Sequence, residues 1–250
     1  MKHLDLFSGI GGFALAAKWA GFETIQFVEK DPFCQKVLKK HWPNVLIHSD
    51  IKDFTFTDKV DLLTGGFPCQ PFSVAGKKKG INDDRYLWPE MLRIISECRP
   101  SYIVIENVPG IVRNGLERIV GDLEGESYLI QNLVIPACSI FAPHKRERIY
   151  IIANRDGKRC HLWCDTRKDG QLQDNQEWNL SQVQQEWSQL IPISWKINKA
   201  EDWFQFNSEI VRRNDGVSGK LDKDRVKALG NAIVPQVVYP ILKLIYELNK

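Results

Sequence analysis

Leu4-Asp5-Leu6-Phe7-Ser8-Gly9-Ile10-Gly11-Gly12-Phe13 is the stretch on which the fold turns. Its first four residues read as a short buried strand and Ser8 to Phe13 as a glycine-rich turn. A helix then runs through Ala14, Leu15, Ala17 and Trp19 until Gly21 closes it. Strand, glycine turn and helix in this order open a βαβ unit of the nucleotide-binding kind. Glycine lets backbone approach a ligand closely where a Cβ would intrude. The spacing is not a strict G-x-G-x-x-G, so the turn acquires meaning only from the strands downstream of it.

A second strand, Thr24 to Val28, ends in Glu29, about 20 residues after the turn, where such folds place an acid on a ribose diol. Asp31-Pro32 starts a helix, Pro being suited to a first turn. A third strand, Val45-Leu46-Ile47, is followed by Asp50-Ile51. One acid for sugar hydroxyls and one for an adenine amino group suit a nucleoside, although strand ends also carry acids simply as caps. No lysine follows the glycine turn to hold phosphate, which favours a nucleoside thioether such as S-adenosylmethionine over ATP.

Val60, Leu62 and Leu63 form the next buried strand, and it runs into Gly65-Gly66-Phe67-Pro68-Cys69-Gln70-Pro71-Phe72-Ser73. A cysteine held between prolines at the carboxyl end of a parallel strand sits where open α/β sheets keep their reactive groups; a packing cysteine in a turn is the plainer alternative. Gly76-Lys77-Lys78-Lys79-Gly80 reads as a basic loop suited to phosphate or merely solvated. Asp83-Asp84-Arg85 opens a helix through Leu87, Met91, Ile94 and Ile95. Tyr102 to Ile105 is a fifth strand with Glu106-Asn107-Val108-Pro109 at its tip, able to neighbour the Cys69 strand. Two more strands, Leu129 to Ile135 and Ile149 to Ala153, flank His144-Lys145-Arg146-Glu147-Arg148. In extended backbone Arg146 and Arg148 face one way and suit a carboxylate or phosphate.

The 250 residues carry 43% apolar and 26% charged side chains, as an ordinary globular protein does. No run reaches the roughly 18 apolar residues of a membrane span, and no signal peptide is expected, so the location implied is cytoplasmic. Six scattered cysteines argue against a disulfide framework. Cys160-His161-x-x-Cys164 lacks a second pair at zinc spacing, so no metal is expected. From Arg155 to about Ser208 periodicity fails while five of the eight tryptophans gather, which reads as an insert with a small aromatic core or as a partly flexible one. A basic run (Arg212, Arg213, Lys220, Lys223, Arg225, Lys227) precedes Leu229-Gly230-Asn231-Ala232-Ile233-Val234-Pro235 and an amphipathic helix through Val238, Ile241, Leu242, Ile245 and Leu248. The division expected is a catalytic and cofactor-binding domain over 1–154, a small target-recognition region over 155–224, and a segment over 225–250 returning to the first domain.

In order and across nearly the whole chain, these segments resemble the DNA cytosine-5 methyltransferase family. Asp5 to Gly12 is similar to its cofactor loop, Pro68-Cys69-Gln70 to its nucleophile motif and Glu106-Asn107-Val108 to its acid motif. Lys145-Arg146-Glu147-Arg148 is similar to its arginine motif and Gly230-Asn231 to its closing cofactor motif. The chain departs from many members in having Lys30 where they place an aromatic under adenine, and in a short stretch between the arginine and closing motifs.

The resemblance implies an α/β, doubly wound Rossmann-like S-adenosylmethionine-dependent methyltransferase fold with a small irregular inserted target-recognition segment. It implies methyl transfer to C5 of cytosine in double-stranded DNA, with base flipping and a covalent Cys69–C6 adduct, leaving S-adenosylhomocysteine. By the same resemblance Glu106 protonates or hydrogen-bonds N3, Arg148 holds the cytosine carbonyl, and Arg146 holds phosphate or steadies the pocket. The cofactor would be cradled by Phe7, Ser8, Gly9, Ile10, Gly11, Gly12, Glu29, Asp50, Ile51, Phe67, Pro68, Leu87, Asn231 and Ala232. DNA would be met by Gln70, Ser73, Lys77, Lys78, Lys79, Arg212 and Arg213. A restriction–modification setting with a cognate endonuclease, and a monomer, are the implied company. Three other readings stay open: a tRNA cytosine-5 methyltransferase, disfavoured by the absence of a Cys-Phe-Thr tripeptide; a non-catalytic DNA-binding relative; and a nicotinamide-linked thiol oxidoreductase, which would leave both arginines idle.

Overall fold

The computed structural model describes residues 1–68, 86–140, 146–155, 224 and 227–249. The expectations for Cys69, Gln70, Ser73, Lys77, Lys78, Lys79, Asp83 to Arg85, Cys160 to Cys164, Arg212, Arg213 and nearly all of the insert lie outside the described residues. Seven strands form one sheet: β1 (Lys2–Leu6), β2 (Glu23–Val28), β3 (Leu46–His48), β4 (Leu62–Gly65), β5 (Tyr102–Asn107), β6 (Leu129–Pro136) and β7 (Glu147–Asn154). Their order across the sheet is β3-β2-β1-β4-β5-β7-β6. Strands β1 to β5 pair in parallel, whereas β7 runs antiparallel to both its neighbours. This mixed α/β architecture agrees with the fold class read from the sequence.

Alternation along β1 shows how the layers arise. Leu4 and Leu6 are buried on one face beneath the helices α3 (Trp88–Cys98) and α5 (Leu116–Gly125), in a core with Met91, Ile94, Ile95, Ile119 and Leu123. The other face is covered by α1 (Gly12–Ala20) and α6 (Pro235–Leu248), where Phe13, Ala16 and Ala17 meet Val237, Val238, Ile241 and Leu242. Helix α1 ends at Gly21, left-handed at φ 109°, whose N–H donates to the carbonyls of Ala17 and Lys18. Helix α2 (Pro32–His41) is capped by Asp31, which accepts from Phe33 N–H, with Pro32 in its first turn.

Three elements differ from the sequence reading. The helix after the lysine loop begins at Trp88, with Pro89 in its first turn. A short helix α4 (Ile111–Asn114) and α5 fill the connection between β5 and β6, where no helix was expected. Arg146 has φ 28° and is therefore not extended, so the inference that Arg146 and Arg148 face one way fails at that residue.

Candidate active site

Parallel pairing lines up the carboxyl ends of β1, β2, β4 and β5, and one cleft of about 750 Å³ opens there. At its β1 end Phe7 leaves the strand at φ 55°, a left-handed conformation that costs a bulky residue about 1–2 kcal/mol. Gly9 follows at φ 53°, with open space where a Cβ would stand. Glu29, at the tip of β2, accepts from Gly9 N–H at Oε2 and from Asp31 N–H at Oε1, both at 2.7 Å. Burial pushes its carboxyl above the usual range while those two N–H groups oppose the shift. A carboxylate has about four acceptor sites, so two remain for other donors.

Asp50 pairs with Lys30 at 2.8 Å, and that ion pair holds its pKa below the ordinary value. The Lys30 side chain is 78% exposed, so at this position the cleft edge carries a solvated charge. A second ion pair crosses the cleft: Lys227 Nζ lies 2.8 Å from Asp31 Oδ2, and both residues line the cavity with Ala228 and Asn231. Cys34 also lines it, its thiol pushed up to about 12 by burial and so kept protonated.

At the other end the β4–β5 pairing sets Gly66-Phe67-Pro68 beside the tip of β5. A Cβ on Gly66 would come within 3.3 Å of Glu106 Oε2, so only glycine leaves the acid its present space. Glu106 stands directly opposite Tyr150 in the β5–β7 ladder, and Arg148, two residues along, shares that face. Arg148 Nε meets Glu106 Oε1 at 2.9 Å, with side chains 22% and 13% exposed. Burial raises the Glu106 pKa; Arg148 and Arg146 pull against it. Arg146 points elsewhere, donating to the carbonyls of Gly230 at 2.9 Å and Ala232, the two residues that flank Asn231.

Of the expected cofactor residues, Phe7, Gly9, Glu29, Asp50, Ile51, Phe67, Pro68, Leu87 and Asn231 line this one cavity, as do Glu106 and Arg148. Ser8, Ile10, Gly11, Gly12 and Ala232 do not. Ser8 donates its hydroxyl to Asp5 O. A Cβ on Gly11 would strike Trp42 at 2.6 Å, and one on Gly12 the Ile233 carbonyl at 2.8 Å, so both glycines serve close packing. The reading missed Asp31, Lys227 and Cys34 as cleft residues, and Asn107 as a tie whose Nδ2 donates to Phe67 O at 3.3 Å. The Asn107 tie had a trace in its motif; Lys227 had none.

A nucleoside-sized ligand fits what is present. The volume lies within the range of small-molecule sites, Gly9 offers unobstructed backbone, and Glu29 is fixed with acceptor capacity to spare.

The sequence profile of the C-5 cytosine-specific DNA methylases matches residues 1–215. The type II methyltransferase M.PspPI of Psychrobacter sp. is 43% identical over 162 residues, covering 61% of this chain but 39% of that protein. M.AquIA of Picosynechococcus sp. is 35% identical over 181 residues, 63% of this chain and 73% of the relative. The match thus spans well under half the length of the first relative and most of the second. Among solved structures, S. pombe Dnmt2 methyltransferase superposes over 100% of both chains with a TM-score of 0.65 at 20% identity, a likeness of fold. With a cleft that joins a glycine turn to a Pro-flanked strand tip and an arginine-bound acid, the chain belongs to the C-5 cytosine-specific DNA methylase family.

Proposed function

We propose that this chain methylates C5 of cytosine in double-stranded DNA through covalent attack by Cys69 on C6. The observation that carries the reading is the single cleft reaching from Gly9 and Glu29 to Pro68, Glu106 and Arg148. S-adenosylmethionine, bound along Gly9, Glu29, Asp50 and Ile51, would supply an electrophilic methyl group. C5 of an intact cytosine ring is a poor nucleophile. The Cys69 thiolate, one residue beyond Pro68, bonds to C6, and the electrons of the C5–C6 double bond become available at C5. Glu106 gives a proton or a strong hydrogen bond to N3, where negative charge gathers on addition. Its buried position raises its pKa toward that task. Arg148 orients Glu106 and is within reach of the cytosine carbonyl. After transfer C5 loses its proton to water, the electrons of that C–H bond restore the C5–C6 double bond as the sulfur–C6 bond breaks, the thiolate leaves, and N3 returns to Glu106 any proton it took. In a duplex the base has to leave the stack first, at a cost of about a few kcal/mol.

Residues 155–224 are assigned the reading of DNA sequence, and Lys77, Lys78 and Lys79 phosphate contact, on charge and position alone. Arg146 is assigned to holding phosphate or steadying the pocket, the second role being supported by its Nη2, which donates to the two carbonyls beside Asn231. The type II relatives support a restriction–modification setting.

The test is tritiated methyl transfer to plasmid DNA and, in parallel, to tRNA. Cys69→Ser is expected to abolish transfer to DNA while S-adenosylhomocysteine still binds. Substantial turnover by that variant would remove Cys69 from the reaction, and transfer to tRNA alone would move the substrate from DNA to RNA.

A further inference from the structure

Phe67 and Pro68 carry the chain out of β4 into the cleft, and the ring of Phe67 is held from outside it. Trp88 packs against that ring at 5.6 Å between centroids, and Tyr86 meets it edge-on at 6.4 Å. Both aromatics are in turn gripped by α5. The Trp88 indole N–H donates to Asp122 Oδ2 at 2.7 Å, and the Arg118 guanidinium lies 6.0 Å over the Tyr86 ring. Arg118 and Asp122 are one helical turn apart and 3.8 Å from each other. Neither lines the cleft.

The packing alone would not fix this arrangement. A buried indole is held by the shape of its surroundings and by its one polar group, the N–H, which needs a partner. Trp88 is fully buried, so losing its acceptor would strand a donor away from water. The Asp122 carboxylate, 31% exposed, has no such need, since water can satisfy it. The bond therefore serves the ring. Asn107 holds the carbonyl of Phe67 from the opposite side, so this residue is fixed by side chain and backbone at once.

We propose that Asp122, seconded by Arg118, is a positioning residue for catalysis: by orienting Trp88 and Tyr86 the pair sets Phe67 and Pro68, the residues that lead into the nucleophile in sequence. The proposal rests on the reading of Cys69 as nucleophile. It predicts a larger effect on adduct formation than on cofactor binding, because Phe67, Pro68 and Leu87 touch both parts of the cleft while Glu29, Asp50 and Gly9 have no part in the chain of contacts.

The test uses the full chain, with Asp122→Ala, Asp122→Asn and Arg118→Met. The rates compared are covalent capture on PCR fragments containing 5-fluorodeoxycytidine in place of deoxycytidine, and kcat on the unmodified fragments. Asp122→Ala should slow capture and kcat together by roughly tenfold, a larger change than that in KM for S-adenosylmethionine. Asp122→Asn keeps an oxygen acceptor and should recover to within about threefold of the native rate; Arg118→Met should lose about threefold in capture and kcat, again with the smaller change in KM. Rates are expressed per active site, counted by S-adenosylhomocysteine binding in calorimetry. A loss that vanishes on this normalisation, or an Asn variant no better than Ala, would overturn the proposal. If Asp122→Ala does not fold, native rates of both capture and turnover in Arg118→Met would overturn it equally. No capture by the native chain would instead strike the role of Cys69, and this proposal with it.

Discussion

Glu106 stands between opposed influences: burial raises its pKa, and the guanidiniums of Arg148 and Arg146 lower it. If its protonated form serves N3, activity falls as pH rises through that pKa. Removing Arg148 relieves the lowering influence, so in Arg148→Gln the alkaline limb of the pH–rate profile should move upward, while kcat drops by roughly a hundredfold for the lost substrate contact. An alkaline limb that stayed in place would detach the limb from Glu106. A second buried acid acts on stability. Asp5 accepts from the Thr64 hydroxyl at 2.7 Å, Thr64 oxygen meets His3 Nε2, and His3 Nδ1 meets Thr24, a chain of bonds across three strands. Burial raises Asp5 to about 7 from 3.8 and lowers His3 to about 3 from 6.5. The Asp5 contribution is complete below its unfolded pKa and is lost as pH climbs through 7; the His3 contribution is complete above 6.5 and is lost as pH falls toward 3. Asp5→Asn removes only the first, so the difference in Tm, variant minus native, should grow by a few °C between about pH 4 and about pH 8. A flat difference in thermal melts would show that Asp5 ionises in the folded chain as readily as in the unfolded one.

At the level of elements, α1 and α6 meet so closely that Gly12 has no room for a methyl group: a Cβ there would sit 2.8 Å from the Ile233 carbonyl and 3.0 Å from its Cβ. Backbone cannot step aside as a side-chain tip does, so Gly12→Ala should destabilise by about 1–3 kcal/mol despite alanine's better helix propensity. The shift would reach Asn231, two residues away, and weaken cofactor binding; calorimetry showing native affinity would confine the damage to packing. Elements with strong local signals were legible from sequence. Gly21 closes α1 and Asp31-Pro32 opens α2 as the residue types require. The helices between β5 and β6 were not, because Gly110, Gly115, Gly121 and Gly125 interrupt the apolar period of Ile111, Leu116, Ile119 and Leu123. Arg146 was misread for a different reason. Two-residue spacing guarantees a shared face only in extended backbone, and the residue instead turns at φ 28° to hold the carbonyls beside Asn231.

For the molecule as a whole, the sheet order places β4 at the centre, with the residues proposed to bind a nucleoside at the tips of β1 to β3 and those proposed to react at β4, β5 and β7. Because the two groups share one cavity, ligand binding should stabilise the entire fold. S-adenosylhomocysteine at about 100 times its Kd should add about 2.7 kcal/mol, a rise in Tm of roughly 5–10 °C; an unchanged melt would mean that the cleft does not take this ligand. That the glycine turn, Glu29, Asp50 and Glu106 would lie at one cleft could be read in advance, since each sits at a strand end, where α/β sheets gather their chemistry. The Lys227–Asp31 tie could not, for contacts between residues 196 positions apart leave no periodic trace. That tie also bears on how the protein is made. While a ribosome extends the chain, the strands that form the floor of the binding site emerge early, but its far wall waits for residues 227–231. A nascent polypeptide stopped short of that point would own the acids and the glycines and still lack the wall formed by Lys227, Ala228 and Asn231.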